Sequence, residues 1–191
     1  AGVWLLLDMQ HSVQAGDGDE STEEYAVKIA SALAYQQIRD GKAVGLAAIG
    51  RDRIFLEPQK GTGQLWKILE SLAIVSAAGA TPFDRFLTEL VPALGRGMSV
   101  VAVTPSTDSA WPVALRQLGD RGLYPSAFLL EAGSFNGVGG DSLSANFAAT
   151  YGLPVRTVLK GDRFDSIQFG GPRPSLDGAP AFTFSSGRAL R

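Results

Sequence analysis

The alternation of short apolar runs with stretches of helical period is what most limits how this chain can fold. Residues 3–7 (VWLLL), 43–49 (AVGLAAI), 98–103 (MSVVAV), 123–130 (LYPSAFLL) and 154–159 (PVRTVL) have the length of strands, and the first three are apolar almost without a break. A strand that is apolar at nearly every position has both faces buried, as in a parallel sheet held between helices. The intervening segments repeat their apolar residues at helical spacing. Ser21-Thr22-Glu23-Glu24 is a capping box, and Ala26, Ile29, Ala30, Leu33 and Ala34 follow it as one stripe, with Gly41 as the stop. Leu65, Ile68, Leu69 and Leu72 mark a second helix over 64–75. Pro82 opens a third, carrying Phe83, Phe86, Leu87 and Leu90 and ended by Gly95 and Gly97. Asp108 or Ser109 caps a fourth through Leu118, and residues 141–151 form a fifth. Residues 53–57 alternate after a short turn and are closed by Pro58, which predicts an antiparallel edge strand.

Strands alternating with helices predict a doubly wound α/β domain: a mostly parallel sheet, one antiparallel edge strand and helices on both faces. It covers residues 1–160. From 161 to 191 the chain is rich in Gly, Pro and Ser without a sustained period, and reads as a C-terminal tail. The abrupt start, with a buried strand by residue 3, suggests a piece of a longer protein. A net charge of −2 argues against nucleic acid as a partner. The absence of cysteine excludes disulfides, zinc thiolates and thiol nucleophiles. The longest apolar run, LAIVSAAGA, is too short to span a bilayer.

In open parallel sheets, ligands bind beyond the carboxyl ends of strands where the strand order reverses. The first apolar run stops at Asp8, and Gln10, His11 and Ser12 follow. If the strands at 3–7 and 98–103 are neighbours, Thr104, Ser106, Thr107 and Asp108 come close, with Thr81 opening a helix between them. One carboxylate with several hydroxyls is an oxygen-rich set of the kind that hard divalent cations take. The competing reading makes Asp8 an acceptor for backbone N–H groups of its own turn. His11 is the one histidine and, without cysteine, cannot anchor a zinc site of the usual kind.

The pattern D-x-S-x-S at the end of a first strand, then a threonine, then an aspartate after a later strand, is the metal-ion-dependent adhesion motif of von Willebrand factor A domains. This chain resembles a diverged member. It resembles more closely the A-like domain of the bacterial domain-of-unknown-function-58 family, through VWLLLDMQHSVQAG, EYAVKIASALAYQQIRDGKAVGLAAIG, GTGQLWKILESLA, LGRGMSVVAVTPSTD and LPVRTVLKGDRFD, in that order. The resemblance implies the same α/β fold. It also implies a larger parent anchored by membrane helices, a cytoplasmic position for this domain, and a MoxR-type AAA+ ATPase as partner. A domains recognise other proteins and are not enzymes. Carried over residue by residue, the metal ligands are Asp8, Ser12, Thr81 and Asp108. Gln10 stands in place of the first serine and Pro105 in place of the strand-end acid, so the motif is degenerate and at most weak magnesium or manganese binding is expected. The partner-binding surface comprises the loops 8–19, 80–84 and 104–108, with Gln10, His11, Thr104 and Ser106 as its contacts.

A hydrolase is the alternative, through Asp8 and a metal or through Ser142. Gly140-Asp141-Ser142-Leu143 spells the motif of GDSL esterases, and Asp8 to His11 spells their D-x-x-H, but in reversed order and without a strand directly before the serine. A vacant, purely structural top face is a third reading. The Gly-rich GSFNGVGGDS fails both phosphate-loop patterns and reads as a surface loop.

Overall fold

The computed structural model describes residues 2–139, 143–150, 152–164, 167–169 and 182–184. Six strands form one sheet in the order β3-β2-β1-β4-β5-β6. They are β1 (Gly2–Leu7), β2 (Ala43–Ile49), β3 (Arg53–Gln59), β4 (Ser99–Thr104), β5 (Tyr124–Leu130) and β6 (Val155–Val158). Every neighbouring pair is parallel except β2 with β3. The helices are α1 (Thr22–Arg39), α2 (Thr62–Ile74), α3 (Phe83–Leu90), α4 (Ala110–Gly119) and α5 (Leu143–Thr150). Beyond the sheet, β7 (Ile167–Phe169) and β8 (Phe182–Phe184) pair antiparallel, inside the stretch read as a tail. The mostly parallel sheet with its antiparallel edge is the architecture that the alternation of runs predicts.

The strand period of two sorts β1 between two cores. Val3, Leu5 and Leu7 join Ile29, Leu33 and Ile68 on the α1–α2 side, while Trp4 and Leu6 join Phe83, Leu87, Trp111 and Leu115 on the α3–α4 side. All six residues of β1 are buried. Burying such aliphatic side chains contributes on the order of 1.5–3 kcal/mol each, before the entropy of ordering them. The capping box acts through Ser21, whose hydroxyl accepts from Glu24 N–H at 3.2 Å.

The edge strand differs from the sequence reading in one respect. β3 does not stop at Pro58 but runs through it to Gln59, with a register shift in its pairing to β2 between Val44 and Leu46. Proline lacks a ladder donor, and a bulge on an edge strand is where that loss costs nothing. The bulge presses Pro58 toward β2, where a Cβ on Gly45 would lie 2.8 Å from the Trp4 ring and 2.9 Å from Pro58. Only glycine fits there.

Candidate functional site

The strand order reverses between β1, which continues to β2, and β4, which continues to β5. This switch point is where the fold leaves a crevice at the carboxyl ends of the strands. The buried layer beneath it, its floor, holds Asp8, which is 2 % exposed and does not itself line the cleft. The backbone N–H of Asp8 donates to Val103 O at 2.9 Å, so the β1–β4 ladder extends one residue into the loop. Oδ2 of Asp8 accepts a hydrogen bond of 2.6 Å from the hydroxyl of Thr104, which is fully buried at the end of β4. Oδ1 accepts from Gln10 N–H at 3.1 Å.

From Thr104 a chain of short-range bonds runs outward. Thr104 Oγ accepts from Ser106 N–H (3.0 Å), Ser106 Oγ accepts from Asp108 N–H (3.2 Å), and Asp108 Oδ1 accepts from Ala110 N–H (2.8 Å) at the start of α4. The indole N–H of Trp111 donates to Ser106 O at 3.0 Å, tying α4 back to the same loop. On the other side, the Gln14 amide donates to Asp8 O (3.0 Å) and Gln10 O (3.1 Å) and accepts from Thr22 Oγ (2.7 Å). The loop after β1 is also zipped to residues 76–79: Gly79 N–H donates to Met9 O and His11 N–H to Gly79 O. A Cβ on Gly79 would meet Ile49 O at 2.5 Å, so this close approach requires glycine.

Burial raises the Asp8 pKa from 3.8 to about 6, against the lowering effect of its hydrogen bonds from Thr104 and Gln10. Desolvation of an acid with no nearby cation acts in this direction.

Above the floor lies a cleft of ≈ 780 Å³. The loop after β1 contributes Gln10, Ser12, Val13 and Gln14, and the start of α3 contributes Pro82, Phe83 and Asp84. Residues 105–108 and Trp111 form the third wall, and Ala132 with residues 136–138 the fourth. Asp8, Ser12 and Asp108 thus come to the same end of the sheet. Thr81, half-buried, does not line the cleft; its successors Pro82, Phe83 and Asp84 do. Thr104 and Ser106 are buried, Gln10 is half-buried, and Ser12 is exposed, with its Oγ accepting from the Gln10 amide at 2.9 Å. His11 is exposed outside the cleft, with Nδ1 3.3 Å from Ala77 O. Among the described residues, no group of three or more His, Cys, Asp or Glu is placed to hold a metal ion. Ser142 and Asp141 lie outside the described residues.

The fourth wall is what the sequence reading missed. Asn136 takes the left-handed conformation (φ 64°), and it brings Val138, 90 % exposed, to the cleft rim. The dipeptide Asn136-Gly137 was the available signal, since asparagine tolerates that conformation better than most residues.

A family model described as "Protein of unknown function DUF58" matches residues 1–122 of the 191. Comparison with curated proteins finds no match. Among solved structures, the conserved hypothetical protein BatB from Bacteroides thetaiotaomicron is similar at 15 % identity and a TM-score of 0.62, over 84 % of this chain and 91 % of that one. An aerotolerance-related membrane protein from Bacteroides fragilis is similar at 15 % identity and 0.61, over 83 % and 91 %. The SpRpn10 VWA domain is similar at 13 % identity and 0.58, over 84 % and 88 %. At such identities the likeness is one of fold: a von Willebrand factor A-like domain.

Proposed function

The chain belongs to the DUF58 family of proteins of unknown function, and from that premise we propose that it is a non-catalytic protein-recognition domain of a larger, membrane-anchored bacterial protein. The observation that carries this reading is the cleft at the switch point, open at the carboxyl ends of β1 and β4 and rimmed by loops from four parts of the chain. Side chains on such loops are held by a rigid sheet and are free to face a partner. The rim mixes the exposed apolar Val138 with the polar Ser12, Thr107 and Asp108, the composition of a modest protein interface. Thr104 and Ser106 support the rim from beneath, and Gln10 and His11 stand at its edge.

The partner is a protein, and a MoxR-type AAA+ ATPase is the candidate that the family resemblance supplies. The domain then stands on the cytoplasmic side, where such ATPases work. Among the described residues no helix is long and apolar enough to cross a membrane; the proposal places the anchor in another part of the parent. The similarity to a protein described as a membrane protein supports that parent.

The test is capture of a purified MoxR-type ATPase by the immobilised domain. Binding is expected for the wild type and is lost in a triple variant, Ser12→Arg, Thr107→Arg and Val138→Arg, that retains its melting temperature. Capture undiminished by the three arginines overturns the placement.

A further inference from the structure

The donor set at the end of β1 does not fit the divalent cation that the adhesion motif implies. Magnesium and manganese take an octahedron of oxygens, with carboxylates facing the ion. Asp8 is the one carboxylate of the floor, and each of its oxygens already accepts a hydrogen bond from within the protein. Pro105 occupies the position of the strand-end acid. Gln10, in place of a serine, directs a donor N–H at Ser12 Oγ. Asp108 Oδ1 is engaged by the first turn of α4. The cross-linking of loops that a central ion would perform is performed here by the bonds from Asp8 through Thr104 and Ser106 to Asp108.

Resting on the reading of the cleft as a recognition site, we infer that it works without an ion and receives a cationic side chain of the partner, lysine or arginine, on Asp84 and Asp108. Both carboxylates line the cleft, and among the described residues no lysine or arginine does. Neither aspartate takes part in an ion pair among the described residues. The walls beside them are Phe83, Trp111, Pro105 and Val138. Val138, 90 % exposed, suits the aliphatic stem of a long basic side chain, while Phe83 and Trp111, at most 3 % exposed, belong to the core beneath. An ion in the cleft would draw an acid from the partner. Two carboxylates with no ion-pair partner among the described residues draw the opposite charge.

The experiment is an amide NMR titration of the 15N-labelled protein in chelator. The probes are N-acetyl-arginine methylamide and N-acetyl-glutamate methylamide, each with and without millimolar magnesium. The arginine probe is expected to move the amides of Asp84, Thr107 and Asp108, equally with and without magnesium. Its affinity is expected to fall about tenfold in Asp84→Asn/Asp108→Asn, the loss of charge-assisted hydrogen bonds. Asparagine at 108 still offers its Oδ1 to Ala110 N–H, and Asp84→Asn alone gives a second variant that leaves that bond untouched. No movement with the arginine probe, or movement unchanged in the variants, overturns the inference. Binding of the glutamate probe only with magnesium also overturns it, and leaves the recognition reading standing, since that reading falls only with the arginine-loop variants above.

Discussion

The floor and the rim of the cleft are built from the same loops and obey different physics. Asp8 and Thr104 in the floor are at most 2 % exposed, and each makes its hydrogen bonds inside the protein. Val138 on the rim is 90 % exposed, and Asp84 has no ion-pair partner among the described residues. A buried polar group is expensive to unpair, whereas an exposed one is cheap to change. Of the residues that carry the motif pattern, Asp8 therefore holds the loops from beneath, whereas Ser12 and Asp108 stand exposed on the rim that a partner would meet.

Trp111 spans both layers and gives the largest expected effect. Its ring is 1 % exposed in the α3–α4 core, its N–H anchors Ser106 O, and it also lines the cleft. Trp111→Ala is expected to destabilise the domain by about 3–5 kcal/mol in denaturant unfolding. Trp111→Phe keeps most of the ring and loses the hydrogen bond, at about 1 kcal/mol. If the alanine variant unfolded at the wild-type midpoint, the floor would not be a packed layer.

The floor's acid gives the next effect, and its sign is particular. Burial lifts Asp8 to about 6 in the folded state from 3.8. Below pH 3.8 it is protonated in both states and contributes nothing. Between the two values the unfolded chain has released the proton while the folded one holds it, so stability falls as pH rises, and above about 6 the loss is complete. The loss is on the order of 3 kcal/mol. Asp8→Asn is expected to flatten this part of the pH profile, measured as the difference between variant and wild-type unfolding free energies from pH 4 to 7. A difference that did not change with pH would show that Asp8 keeps its ordinary pKa.

Thr104→Val tests the bond between the two strands. It leaves Asp8 Oδ2 and Ser106 N–H without their partner, at a cost of about 2 kcal/mol. It also removes one of the hydrogen bonds that lower the Asp8 pKa, so the acid is expected to titrate higher still. Unfolding curves with the stability and pH profile of the wild type would mean that the hydroxyl faces elsewhere.

Most of the framework was legible because it follows from local period. The apolar run at 3–7, the capping box at Ser21 and the stripes of α1 to α4 each fit within one element. That Asp8 accepts a hydrogen bond from Gln10 N–H was also within reach, since aspartates commonly do this in turns. Its bond to Thr104 was not, because the two residues are 96 positions apart. Adjacency of β1 and β4 brings Thr104 close, but period cannot tell whether a hydroxyl at a strand end turns inward or outward. The same limit affects Ser106, buried here although its neighbour Thr107 is exposed. The wall at 136–138 depends on one left-handed residue in a Gly-rich stretch, a conformational choice with no periodic trace. At Pro58 the sequence rule that proline ends a strand gave way to a bulge.

The rim supplies the smallest stability effect and the sharpest contrast. Asp84→Asn and Asp108→Asn each keep the side chain's shape and an acceptor oxygen, and remove one charge from the first turn of α3 and from the residue before the N-cap of α4. A helix start favours negative charge by about 0.3–1 kcal/mol at an exposed site. Relief of the acidic character of the cleft offsets part of this, so each variant is expected to lie within about 0.5 kcal/mol of the wild type in denaturant unfolding. In the proposed partner interaction these two residues are expected to count. An affinity loss in capture experiments without a stability loss separates rim from floor, because no floor substitution can produce it. If instead the asparagine variants lost stability on the scale of Thr104→Val, Asp84 and Asp108 would belong to the same hydrogen-bonded layer as Asp8, and the division of the cleft into two layers would fail.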